Sequence, residues 1–234
     1  MTLWLSKTKV GTYQACPLQY KLNYVDKVPQ APNKYFEIGI DVHDFHNKLF
    51  DSAKVVCGNL QFSEFDLGSN RDYKSRIVEH YLDRWQLCVK HKPDKPSYYF
   101  FPITREQKIE LSDIGLNGIP DAVMRDFNDR PYVLELKTGS PTKDKIKKYK
   151  NDLIWYKLLF ERQSPEYGEV STGRVYFPRT NQEWEYDLCA AEVERLIADI
   201  KEVRAKIELN KFEPTPEASK CNWCGYKSVC EYKR

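Results

Sequence analysis

No stretch of the 234-residue sequence approaches the roughly 18 consecutive apolar residues that spanning a bilayer demands, which argues against a membrane protein. The opening MTLWLSKTKV lacks the continuous apolar core of a secretory leader, so a cytoplasmic location is expected. Net charge is scarce as well. Thirty-seven basic against 34 acidic side chains leave only +3, so any attraction for a polyanion has to come from a local patch. Internal repeats and low-complexity linkers are missing, which favours one continuous domain over residues 1–234, long enough to bury a sizeable core. Seven cysteines are an odd number for a disulfide framework, and in a reducing compartment thiols more often serve metals or cores.

What is present orders itself along the chain. Ser6 can cap a helix running toward Cys16, and Pro17 suits the first turn of a second helix through LQYKLNYV, with VPQAPN a loop behind it. Ile38, Val42, Phe45, Leu49 and Phe50 recur at helical spacing over 37–56, which sets His43 and His46 on or beside one face. A helix is expected over 72–90, closed by Pro93 and Pro96. The glycine-broken stretch YYFFPITREQKIELSDIGLNGIPDAVMRD then reads as strands, with YVLELKTG following the NDRP turn. An amphipathic helix starting near Ile146, strands at GRVYFP and EWEYDL, and a long helix carrying Val193 to Ile207 complete an α/β or α+β order with a helical N-terminal region.

Three polar groups in the strand block stand out. Along VLELKTG, Leu134 and Leu136 share one face while Glu135 and Lys137 share the other. Alone, such a pair is usually a solvated strand face. Asp121 changes the weighing, because a strand beginning after NGIPD and pairing with 132–137 brings its carboxylate beside Glu135. Two hard carboxylates suit Mg2+ or Mn2+, and Lys137 could orient a metal-bound water or stabilise developing charge. His43 could add an imidazole ligand, though by itself it reads more readily as an ordinary helix-edge histidine. Downstream, KDKIKKYK carries Lys143, Lys145, Lys147, Lys148 and Lys150, either a solvated helix face or a track for a phosphate backbone with Tyr149 or Trp155 for stacking. The C-terminal SKCNWCGYKSVC sets Cys221, Cys224 and Cys230 at metal-ligand spacing, with Trp223 and Tyr226 between them as shields or DNA contacts. Cys57, Cys88 and Cys189 lack such spacing and read as buried or incidental.

The segments GIDVH (Gly39 to His43), GIPD (Gly118 to Asp121) and ELK (Glu135 to Lys137), in this order, resemble the PD-(D/E)XK nuclease superfamily and its RecB-type exonuclease branch. SKTKVGTYQACPLQYKLNYVDKVP is similar to the N-terminal motif of the iron-sulfur members of that branch, the AddB-type nuclease domains and CRISPR adaptation exonucleases. The resemblance implies a restriction-endonuclease-like α/β fold, a central mixed sheet flanked by helices. It implies a Mg/Mn-dependent DNA nuclease, an exonuclease on single strands or DNA ends, with Asp121, Glu135 and Lys137 catalytic and His43, Asp121, Glu135 and the Leu136 carbonyl on the metal. It makes Cys16 the fourth ligand of a [4Fe-4S] cluster with Cys221, Cys224 and Cys230, joining residues 1–30 to 211–234. Spacing alone leaves zinc open as the alternative. The Q-x-x-x-Y motif expected on the following helix is altered: Asp152 stands where the glutamine belongs and Tyr156 is kept, or Asn151 is the amide in a shifted register. DNA is the implied partner, and as the chain lacks G-x-x-x-x-G-K-[ST], unwinding would fall to a helicase or to a recombination or integration partner. A catalytically inactive DNA-binding module and a structural zinc protein are the competing readings.

Overall fold

The computed structural model describes residues 3–30, 34–63 and 67–234, with the side chains of residues 34 and 35 also set aside; the end of the expected VPQAPN loop lies outside these. In chain order the elements are β1 (Leu5–Ser6), α1 (Lys7–Ala15), α2 (Pro17–Tyr20) running into a π turn (Lys21–Val25), α3 (Lys34–Ser52), β2 (Ala53–Val56), β3 (Asn59–Phe62), α4 (Arg71–His91), α5 (Pro96–Phe100), β4 (Thr104–Arg105), β5 (Ile109–Leu111), β6 (Leu116–Gly118), β7 (Ala122–Arg125) and β8 (Pro131–Leu136). A 3-10 turn (Lys143–Lys145) leads into α6 (Ile146–Gln163), and β9 (Thr172–Phe177), β10 (Gln182–Asp187), α7 (Ala190–Glu208) and α8 (Ala218–Cys221) follow. Two expectations are corrected. The helix expected to reach residue 56 stops at Ser52, because Cys57 and Gly58 both take positive φ (50° and 78°) and turn β2 into β3. Tyr98 to Phe100 are helical rather than extended, since Pro96 opens a short helix.

The main sheet runs in the order β10-β9-β8-β7-β4, with β8 and β9 parallel and every other pair antiparallel, so it is mixed. All six residues of β8 are buried, as expected for a strand covered on both faces. Alternation sorts the two cores. Val123, Val133 and Val175 point to the layer holding α6, α7 and α1, whereas Ala122, Met124, Leu134, Leu136 and Tyr176 point to the layer holding α3, α4 and α5. Gly118 is required where β6 meets α6. A Cβ there would lie 2.8 Å from Leu159 Cδ1 and 3.0 Å from Tyr156 Cε1.

The two ends of the chain lie against one another. The Tyr13 hydroxyl donates to the Lys211 carbonyl at 2.5 Å, Thr215 Oγ1 to the Ala15 carbonyl at 3.0 Å, and the Tyr226 hydroxyl to the Val28 carbonyl at 3.2 Å. Tyr20 and Phe212 stack with ring centres 6.2 Å apart. Among the described residues, no helix is long and apolar enough to cross a membrane.

Candidate active site and thiol centre

The register of β7 on β8 pairs Ala122 with Leu134, which carries Asp121 to the level of Glu135 at the open end of the sheet. Both carboxylates are buried, Glu135 to 2 % exposure, so the solvated-face reading of the E-x-K pair is overturned. Asp121 is fixed from two sides: the Leu136 amide donates to its Oδ2 at 2.6 Å, and His43 Nδ1 lies 3.0 Å from its Oδ1. His46, three residues further along α3, faces the core instead, with Nε2 2.7 Å from the Tyr81 hydroxyl. What Leu136 directly supplies to Asp121 is thus its amide.

A further carboxylate converges with two of the expected ligands. His43, Glu106 and Asp121 each offer an atom within 4.8 Å of the other two. Glu106 had no signal in the sequence. It follows β4, whose pairing with β7 (Arg105 with Ala122) delivers it beside Asp121, and its φ of +45° is the strained left-handed region for a side-chain-bearing residue. The Glu106 amide is held by the Pro120 and Asp121 carbonyls at 3.1 and 3.3 Å. Burial, reinforced by the Asp121 charge, pushes the Glu106 carboxyl up to about 7. Burial and the neighbouring Glu135 likewise raise Asp121, against the opposing pull of His43. The His43 imidazole is raised in turn, because the Asp121 carboxylate outweighs its burial. One imidazole and clustered carboxylates with a mutual repulsion to relieve form a donor set that fits Mg2+ or Mn2+.

Glu135 turns toward two lysines. Lys7 Nζ lies 2.5 Å from its Oε1 and Lys137 Nζ 3.2 Å from its Oε2. Burial opposes charge on Glu135, yet the two ammonium groups hold its carboxyl well below the ordinary range. Asp152 Oδ2 joins the same group, 3.1 Å from Lys137 and 3.5 Å from Lys7. Asp152, and not Asn151, therefore faces the E-x-K strand. Tyr156, one turn further along α6, is buried beneath the Lys7 ammonium, which sits 4.5 Å over its ring.

A groove of about 900 Å3 opens from this point, lined by Lys7, Lys137, Asp152, Asn151, Lys147 and Lys148 among others. Of the remaining basic run, Lys143 and Lys145 are exposed on the entering turn, whereas Lys150 is tied to Glu192 of α7 at 2.6 Å. Tyr149 and Trp155 do not offer stacking faces. Tyr149 packs edge-on against Phe177, and Trp155 is buried with its indole N–H on the Asn117 carbonyl.

At the joined chain ends, Cys16, Cys221, Cys224 and Cys230 line one cavity of about 40 Å3 with Leu18, Leu22, Pro214 and Tyr226. Burial pushes the Cys224 thiol up, and the other three cysteines add to the effect. Of the two aromatics between these cysteines, Tyr226 is fully buried and screens the cavity, while Trp223 is 79 % exposed. Cys88 is a buried core residue, and Cys57 and Cys189 are exposed.

The mixed sheet thus brings Asp121 and Glu-x-Lys to the same end of two paired strands, with a histidine from a preceding helix beside them. The sequence profile of the PD-(D/E)XK nuclease superfamily matches residues 4–231, and the chain belongs to that superfamily. It is 29 % identical over 122 residues to the Gene 69 protein of Mycobacterium phage L5, covering 52 % of this chain but only 41 % of that protein. A candidate exonuclease from Eubacterium rectale of known structure superposes with a TM-score of 0.55 at 10 % identity, over 97 % of this chain and 89 % of that one, a likeness of fold. SSO0001, also of known structure, aligns over 100 % of this chain and 88 % of its own at 16 % identity with a TM-score of 0.44.

Proposed function

We propose that this protein is a divalent-metal-dependent deoxyribonuclease acting from the ends of single-stranded or frayed DNA. The observation that carries the reading is the convergence of His43, Glu106 and Asp121 next to a Glu135–Lys137 pair that faces a lysine-lined groove. His43, Asp121 and Glu106 would hold Mg2+ or Mn2+, with Glu135 and the Leu136 carbonyl available from β8. Such an ion supplies a water of lowered pKa and a counter-charge for the pentacoordinate phosphorus. Lys137 would be placed to orient an attacking water and to stabilise charge on the phosphoryl oxygens. Glu135 keeps the Lys137 ammonium in place. Lys147 and Lys148 draw the phosphate backbone along the groove, with Lys143 and Lys145 at its approach.

The four cysteines would hold a [4Fe-4S] cluster that joins residues 1–30 to 211–234 in one domain. The support is that all four cysteines line one cavity at the joined chain ends, and a single zinc bound by four thiolates is the alternative. Iron and acid-labile sulfide in protein purified without oxygen are the expected result, and zinc without either would refute it. Recombination, spacer integration or phage DNA processing would supply such substrates.

End-labelled single-stranded DNA digested with Mg2+ or Mn2+ tests the activity. The wild type shortens the strand stepwise and Lys137→Ala does not. Binding without cleavage by anaerobically prepared wild type would favour a DNA-binding module instead.

A further inference from the structure

Lys7 is the feature of the site that sequence motifs left unassigned. It occupies the first position of α1, behind the Ser6 cap, whose Oγ accepts from the Lys9 amide at 3.3 Å. A cation there stands at the positive end of the helix dipole, the less favourable end for it. The ammonium nevertheless reaches Glu135 and Asp152, and with Lys137 it completes a ring of alternating charge: Lys7, Glu135, Lys137, Asp152. Its side chain keeps 22 % exposure against 3 % for Glu135, and it lines the groove beside Lys137.

Resting on the nuclease reading, we propose that Lys7 is a second phosphate-contacting cation of the active site, held by Glu135 and balanced by Asp152. An aspartate in the glutamine's place would by itself repel a phosphodiester. The extra negative charge of Asp152 and the extra positive charge of Lys7 touch one another, so the pair cancels while leaving an ammonium turned to the groove. The Tyr156 ring beneath Lys7 limits its movement away from the substrate side. A purely structural ion pair would neutralise Glu135 equally well, but would make no contact with a bound strand.

The test is the salt dependence of binding. A fluorescein-labelled oligothymidylate is titrated in Ca2+, by anisotropy, with wild type, Lys7→Gln, Lys7→Arg and the double variant Lys7→Gln/Asp152→Gln. Loss of one phosphate contact lowers the slope of log affinity against log salt by about 0.7 for a single strand. Lys7→Gln should show that fall and Lys7→Arg should not. The double variant should regain affinity relative to Lys7→Gln, because the uncompensated carboxylate is gone, yet keep the reduced slope. An unchanged slope in folded Lys7→Gln overturns the proposal even if the wild type cleaves DNA. A reduced slope with a wild type inert in Mn2+ upholds the contact and refutes the nuclease reading instead.

Discussion

The molecule has two centres built on opposite principles. At the carboxylate centre, β7, β8, β4, α3, α6 and α1 or the residues flanking them each deliver one or two side chains, and Asp121, Glu135 and Asp152 are already met by hydrogen bonds or counter-charges. The thiol centre is built from helix ends and turns. Its four cysteines come from the end of α1 and from α8 with the turns that follow, held by a few carbonyl hydrogen bonds and aromatic contacts. The difference teaches that the first geometry belongs to the fold, whereas the second would be fixed by the proposed metal group.

The largest effect expected is at the carboxylate centre. Replacing Lys137 or Glu135 by alanine should reduce the cleavage rate on the order of a thousandfold. Lys137→Ala should do so with little change in melting temperature, measured by circular dichroism, so that catalysis and folding separate there. Cys16→Ser should give the reverse order of events. Iron content falls first, then the melting temperature, and limited proteolysis begins at both chain ends together; a variant that loses iron but stays uniformly resistant would break the comparison. Chelation by EDTA sharpens it further, since removing divalent ions from the carboxylate centre should lower the melting temperature less than loss of the cluster does.

A smaller effect concerns Glu106. Its carboxyl moves from the ordinary 4.5 to about 7 on folding, so the folded state holds the proton more tightly than the unfolded chain. The associated stability is present below pH 4.5 and is lost as pH rises through 7. In metal-free protein, Glu106→Gln should therefore raise the melting temperature at pH 8 relative to wild type, with the advantage shrinking toward pH 5. Mn2+ affinity, read by calorimetry, should fall in the same variant. The smallest effect is at Gly118, where alanine crowds Leu159 and should cost about 1–3 kcal/mol in urea unfolding.

Much of the carboxylate centre was readable because β-pairing is local. Asp121 and Glu135 sit on neighbouring strands joined by one turn, so their meeting follows from strand length and alternation. Helices announced by caps, prolines and apolar spacing, such as α1, α4, α6 and α7, also fell where the pattern put them. Glu106 and Lys7 escaped for a physical reason. Each reaches the site through a tertiary step, Glu106 through the two-residue strand β4 and a strained backbone, Lys7 through a helix docked from the far end of the sequence. The β2–β3 hairpin was hidden because its apolar residues continue the helical spacing of α3, and only Cys57–Gly58 marks the reversal.

Helix α1 runs from Lys7 to Ala15, with Cys16 as the next residue, so its nine residues form a rod about 14 Å long between the two centres. Loss of the proposed cluster would free one tip of that rod, and the opposite tip carries the ammonium against Glu135. If the proposed cluster sits at the sulfur end, aerobic damage there should lower the proposed cleavage activity as well, tying the two centres to a reducing environment.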